Sequence, residues 1–233
     1  MAKTAPRRKQ QKRETNWVVI GGLIAAGVIA FGLLLFLALR TPPSTTLTGG
    51  GQSLADYCES NPDRCFAQGD ENAPVTMVEV SDFGCGFCRN FHLDTAPQFK
   101  ETYVEPGTVR WVGLPYALNS STVPSATAGM CAGDQGLFFE FVDAMFAIES
   151  TEVRLSSAGF RQAAESANLD LDEFNNCLAS GRFTTIVNQN REAARAADVT
   201  GTPTFFVNGE KLAGAQPLSA FSQAINASLN QSQ

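Results

Sequence analysis

Apolar positions recur along the chain in three rhythms. Residues 17–39, "WVVIGGLIAAGVIAFGLLLFLAL", are continuously apolar and carry no charge. At about 1.5 Å per residue, such a run is long enough to cross a hydrocarbon core of about 30 Å. It predicts an uncleaved transmembrane helix, because the apolar part of a signal peptide is shorter, about 7–15 residues. A strand rhythm appears next in "PVTMVEV" (74–80), a β-branched run after the turn-like "GDENAP". A second strand is predicted over "TVRWVGLPY" (108–116).

The third rhythm is helical. In "FCRNFHLDTAPQFKETYV", Phe87, Phe91, Phe99 and Tyr103 give one apolar face, with a kink expected at Pro97. Strand, helix and strand in this order predict a parallel βαβ unit. Residues 122–199 then read as helices throughout, over about 123–134, 136–149, 156–167, 170–180 and 182–198. "TPTFFVNGEKLAG" predicts two short strands across Asn208-Gly209, a strong hairpin signal, and a last helix over about 217–229 follows. The whole is α/β: a mixed sheet interrupted by a helical insertion, preceded by one N-terminal transmembrane helix.

Charge sharpens this organisation. Residues 1–40 carry seven Lys or Arg against Glu14 alone, which leaves ten basic against twenty-two acidic residues in the remainder. The basic cluster before the apolar run keeps the N-terminus in the cytoplasm and sends the rest of the chain across the membrane. The acidic remainder argues against nucleic acid as a partner, since phosphate would be repelled. The expected division is a basic cytoplasmic segment 1–16, an anchor 17–39, a flexible linker 40–54 and a folded domain 55–233. The linker is "TPPSTTLTGGGQS" and its neighbours, rich in Thr, Ser, Pro and Gly without apolar periodicity. The expected location is thus the cytoplasmic (inner) membrane, single-pass, with an extracytoplasmic domain.

Six cysteines suit an oxidising compartment. Two of them form Cys85-Gly86-Phe87-Cys88. A zinc site needs four ligands, yet there is no second such pair and the single histidine is His92. Haem attachment needs a histidine directly after the second cysteine, where Arg89 stands. No metal or cofactor is expected. A merely structural disulfide would close so short a loop that it constrains little. At a strand-to-helix junction, by contrast, the free N–H groups of the first helical turn favour a thiolate at Cys85. Cys88, one turn on, is placed to re-close the ring. Glu79 is a carboxylate in an otherwise apolar strand, expected to lie beneath the pair and move protons, or else to face solvent. Thr202-Pro203 opens a later strand, where a cis bond would leave the preceding backbone free to pair with an extended peptide. His92 reads as an ordinary partly exposed histidine, or as a residue tuning the pair.

"GDENAPVTMVEVSDFGCGFC" together with "VTGTPTFFVNGEKLAGA" resembles the DsbA-type thiol–disulfide oxidoreductases of the thioredoxin fold, in particular membrane-anchored bacterial members. The likeness covers about residues 66–229. It implies a thioredoxin fold with an inserted helical domain at about 122–199. It also implies an exposed attacking Cys85, a buried Cys88, a buried acid at Glu79 and a cis-proline at Pro203. Thr202, Pro203, Gly86 and Phe87 are then the substrate-facing positions. The dipeptide Gly86-Phe87 departs from the Pro-His of the most oxidising members and is closer to that of the isomerase DsbC. Some relatives have a second disulfide in the insertion, which implies pairing of Cys131 with Cys177. Cys58 and Cys65 flank a turn and pair to order the entry to the domain, or serve as a second electron-relaying pair. The expected activity is disulfide formation in unfolded or reduced secreted proteins. The expected electron acceptor is a quinone-linked membrane oxidase of DsbB or vitamin-K-epoxide-reductase type. A reductase or isomerase of the same fold is the nearer alternative, and a non-catalytic or metal-handling module the further one.

Overall fold

In the computed structural model, residues 50–231 are described. The predicted span over 17–39, the basic segment 1–16 and most of the linker lie outside the described residues. Among the described residues no helix is long and apolar enough to cross a membrane.

The domain opens with α1 (Gly50–Ser60), so the helix takes in the last residues of the predicted linker. Leu54 is the reason: it is fully buried against Val78 and Val80, and an apolar anchor ends a tether. A short strand β1 (Phe66–Gln68) follows, then β2 (Val75–Ser81). Helix α2 runs over 86–104, and β3 (Val109–Pro115) completes the predicted βαβ unit, parallel with Glu79 opposite Gly113. In α2, regular turns at Gly86–Asn90 and Ala96–Phe99 alternate with widened turns at Phe91–Thr95 and Lys100–Val104. In the first widened turn the Ala96 N–H bonds to the Phe91 carbonyl, five residues back. The helix thus absorbs Pro97 by local widening instead of breaking.

The insertion contains α3 (Val123–Asp134), α4 (Phe138–Ala147), a single turn α5 (Thr151–Arg154), α6 (Ser157–Ser166), α7 (Leu171–Ser180) and α8 (Thr184–Ala196). Side-chain caps fix several starts: Ser150, Ser156 and Asp170 accept from the N–H groups of Val153, Gly159 and Glu173. The chain returns as β4 (Thr204–Val207) and β5 (Glu210–Ala213), turned by Asn208 and Gly209, both at positive φ. It ends in α9 (Leu218–Gln231).

The strands lie in the order β1-β3-β2-β4-β5, with only β2 and β3 parallel. Helices cover both faces. On one, Val78, Val80, Val112 and Phe206 pack on α1 and α8; on the other, Met77, Trp111 and Phe205 pack on α2, α9 and the insertion. β2 is therefore covered on both sides along Met77–Val80, and Glu79 is held in the protein's interior.

Candidate active site

The site forms where β2 ends. Asp82 is buried, and its carboxylate grips the loop it begins: Oδ1 accepts from the Gly84 N–H, while Oδ2 accepts from the Leu118 N–H and the Thr122 hydroxyl, both at 2.6 Å. A Cβ on Gly84 would come within 2.8 Å of Thr122 Cγ2, so glycine is needed for this close approach. From the other side Arg154 of α5, also buried, donates from Nε to the Phe83 carbonyl at 2.8 Å and from its terminal nitrogens to Ile148 O and Thr151 Oγ1. The loop is thus held between two buried charges, and it presents Cys85 at the N-terminus of α2.

Cys85 and Cys88 are both free thiols here, Cys85 partly exposed and Cys88 wholly buried. Their chemistry diverges. The Cys85 thiol is lowered to about 5, first by the hydrogen bond from Cys88, which outweighs the opposing effect of burial. Thr202 and the backbone N–H groups of Cys88 and Phe87 add to the lowering. Burial and the neighbouring Cys85 push the Cys88 thiol well above its ordinary value. One sulfur is therefore a ready thiolate and the other holds its proton. Gly86 and Phe87 face outward: Phe87 is 67% exposed, and nothing lies within 4 Å of a Cβ built on Gly86. The Thr202-Pro203 bond is cis, and the Thr202 carbonyl lies 3.1 Å from Cys85 Sγ. The sequence separates these residues by 117 positions; the antiparallel pairing of β4 with β2 unites them.

Glu79 is 3% exposed, which excludes the solvent-facing reading. Its Oε1 lies 2.9 Å from His92 Nε2, and its Oε2 accepts from Trp111 Nε1 at 3.0 Å. The expectation of a partly exposed His92 is corrected: the residue is buried, stacked on Phe146 with ring centres 4.5 Å apart. Burial alone would lower its pKa, but the Glu79 carboxylate and Asp143 hold it up at about 9. The spacing from Cys88 carried the signal, since a residue four positions after a buried one shares its helix face. Asp82 and Arg154 were not among the expected residues. The Asp-Phe-Gly order hinted at a turn closed by the Asp side chain; nothing near Arg154 in sequence marks it.

The remaining cysteines are joined as Cys58–Cys65 and Cys131–Cys177, the second linking α3 to α7. Among the described residues no cluster of His, Cys, Asp and Glu could hold a metal ion.

Comparison with known proteins places this fold. A family model described as thioredoxin matches residues 61–227. The Na(+)/H(+) antiporter NhaA 1 of Salinispora arenicola is 34% identical over 200 residues, 83% of this chain but 30% of the antiporter. The chain thus spans less than a third of the first curated relatives it matches. The probable disulfide bond formation protein D of Bacillus anthracis is 26% identical over 148 residues, covering 60% of this chain and 68% of that protein. Among solved structures, alpha-DsbA1 of Wolbachia pipientis superposes with a TM-score of 0.63 at 24% identity, covering 72% of this chain and 94% of that one.

Proposed function

Because this chain belongs to the thioredoxin family, with a fold of the DsbA type, we propose that it is a thiol–disulfide oxidoreductase that forms disulfides in other proteins. The observation that carries the proposal is the asymmetry of the cysteine pair: a thiolate at Cys85 held at about 5 beside a Cys88 thiol held well above its ordinary value. Stabilising the thiolate stabilises the reduced form, and a pair whose reduced form is stable oxidises other thiols. The outward dipeptide Gly86-Phe87 brings no histidine to this task. Cys88, Thr202 and the first-turn N–H groups supply the stabilisation instead.

The reaction starts from the Cys85–Cys88 disulfide. A substrate thiolate attacks Cys85 Sγ, the S–S bond breaks, and its electron pair goes to Cys88 Sγ, which takes a proton. A second substrate thiolate then attacks the substrate sulfur of the mixed disulfide and expels the Cys85 thiolate. Two electrons have moved from the substrate to the pair. A thiolate leaving group of low pKa speeds the second step. Glu79 exchanges the proton with Cys88. Thr202, Pro203, Gly86 and Phe87 border Cys85 and receive the substrate backbone.

The reading extends to the cell: an anchor at 17–39, a domain outside the cytoplasm, reduced secreted proteins as substrates, and re-oxidation by a quinone-linked membrane protein. Oxidative refolding of reduced ribonuclease tests the activity. The protein should restore ribonuclease activity without added thiol, and Cys85→Ala should abolish the effect. Equal refolding by Cys85→Ala contradicts the site, and reduction of insulin without refolding favours a reductase.

A further inference from the structure

Each turn of the proposed cycle gives Cys88 a proton and takes it away, yet Cys88 is fully buried and a bound substrate covers Cys85 above it. Glu79 offers no exit of its own, since Trp111 Nε1 and His92 Nε2 occupy its two oxygens. His92 is where this interior meets the outside. Its ring lies between Phe146 and Trp111, nearly parallel to both, with Nε2 turned inward to Glu79. The other nitrogen, Nδ1, is buried without a hydrogen-bond partner and lies 3.9 Å from Asp143 Oδ1. Asp143 is half-exposed on α4, and Lys100 Nζ holds its second oxygen at 2.6 Å. A groove of about 250 Å³ opens at this point, lined by His92, Ala96, Pro97, Lys100, Asp143 and Phe146. None of Cys85, Phe87, Thr202 and Pro203 lines it. On the inner side, a cavity of about 20 Å³ bordered by Glu79, Ser81 and His92 has room for one water molecule. The Ser81 hydroxyl there is buried without a hydrogen-bond partner.

We propose that His92 is the proton store of the redox site and its point of exchange with bulk water, through the Asp143–Lys100 groove and away from the substrate. This rests on the reading of Cys85–Cys88 as the redox pair with Glu79 as its proton partner. An imidazole suits the position because it can take a proton on one ring nitrogen and release one from the other. When the disulfide opens, the Nε2 proton of His92 passes to the Glu79 carboxylate and on to the Cys88 sulfur. The ring is left neutral with its proton on Nδ1, and Glu79 ends as it began. When the disulfide re-forms, the Cys88 proton returns by the same route to Nε2. Exchange with solvent takes place at Nδ1, across a gap too long for a direct hydrogen bond and suited to a bridging water. The groups facing His92 agree with this: Glu79 from β2, Trp111 from β3, Asp143 from α4 and Lys100 from its own helix. The two carboxylates, Glu79 and Asp143, raise the ring to about 9 against the effect of burial.

The test is the rate at which dithiothreitol reduces the Cys85–Cys88 disulfide of the full chain, followed from below pH 6.5 to above about pH 9. Wild type, His92→Gln, Asp143→Asn and Cys85→Ala are compared. Glutamine keeps a donor to Glu79 but has no titratable proton, so His92→Gln should react about tenfold more slowly than wild type below about pH 9. The ratio of the two rates, which cancels the ionisation of the reductant's own thiols, should approach one above about pH 9. Asp143→Asn leaves the Glu79–His92 contact in place. It should slow the reaction about threefold, and that variant carries the test alone if His92→Gln melts too low to assay. Rates and pH profiles matching wild type in both variants, with Cys85→Ala inert in ribonuclease refolding, overturn the proposal and leave the redox site standing. A Cys85→Ala variant that still refolds reduced ribonuclease overturns the redox site itself, and the proton store with it.

Discussion

Removing the Cys131–Cys177 disulfide should cost the domain far more stability than removing Cys58–Cys65, and the structure sets the size of the difference. On the chain-entropy account a cross-link stabilises by restricting the unfolded chain, by about 2.1 + 1.5R ln n cal/mol/K for a loop of n residues. Cys131 and Cys177 are 46 residues apart, which gives about 4 kcal/mol at room temperature. Cys58 and Cys65 are 7 apart, which gives about 2.5 kcal/mol. All four sulfurs are buried, so Cys→Ala replacement loses similar packing in each pair and the comparison isolates the loop. For a domain of this size each kcal/mol moves Tm by about 2–4 °C, so the double variant Cys131→Ala/Cys177→Ala should melt about 8–16 °C below wild type. Calorimetry at neutral pH without reductant, alongside Cys58→Ala/Cys65→Ala, makes the measurement. A larger loss from the short loop would refute the loop reasoning. Loss of ribonuclease refolding with little change in Tm would show that the long pair takes part in the chemistry rather than in the fold.

Other consequences follow from named contacts. His92 is raised in the fold from 6.5 to about 9, so its contribution to stability is full below pH 6.5 and disappears as the pH rises through about 9. Tm should fall across that window, and Glu79→Gln should flatten the slope; a wild-type Tm that rises there contradicts the ion pair. Cys88→Ala deletes the largest influence lowering the Cys85 thiol, so thiolate absorbance should titrate about one unit or more above the wild-type value. An unchanged titration would leave the helix terminus as the main cause. Arg154→Met leaves the Phe83 and Ile148 carbonyls without their donor and should cost about 3 kcal/mol in denaturant unfolding. A loss within experimental error would mean that water takes over both carbonyls.

The architecture was legible where local chemistry and burial agree. "PVTMVEV" became β2, Asn208-Gly209 turned β4 into β5, and the helix expected over 123–134 is α3 with the same ends. β1 was not legible, because Phe66–Gln68 is too short to show an alternation and pairs only through its long-range partner β3. Within the site, the cysteine pair and Thr202-Pro203 stood out because their spacing and residue types carry the chemistry. Glu79 left two readings open, since a strand covered on both faces and one facing water can show the same run. His92 was misjudged as partly exposed for a related reason: the helix pattern placed it on the face of Cys88, but α4 and Phe146 bury it. Arg154 reaches across 71 residues to Phe83, and no local pattern encodes such a contact.

The central claim is that the Cys85–Cys88 pair is an oxidant because the fold stabilises the Cys85 thiolate. Its most direct test is the reduction potential of that pair, measured at equilibrium with glutathione at neutral pH. The account predicts a value above about −180 mV, on the side of DsbA at about −120 mV. A value near that of thioredoxin, about −270 mV, would contradict it.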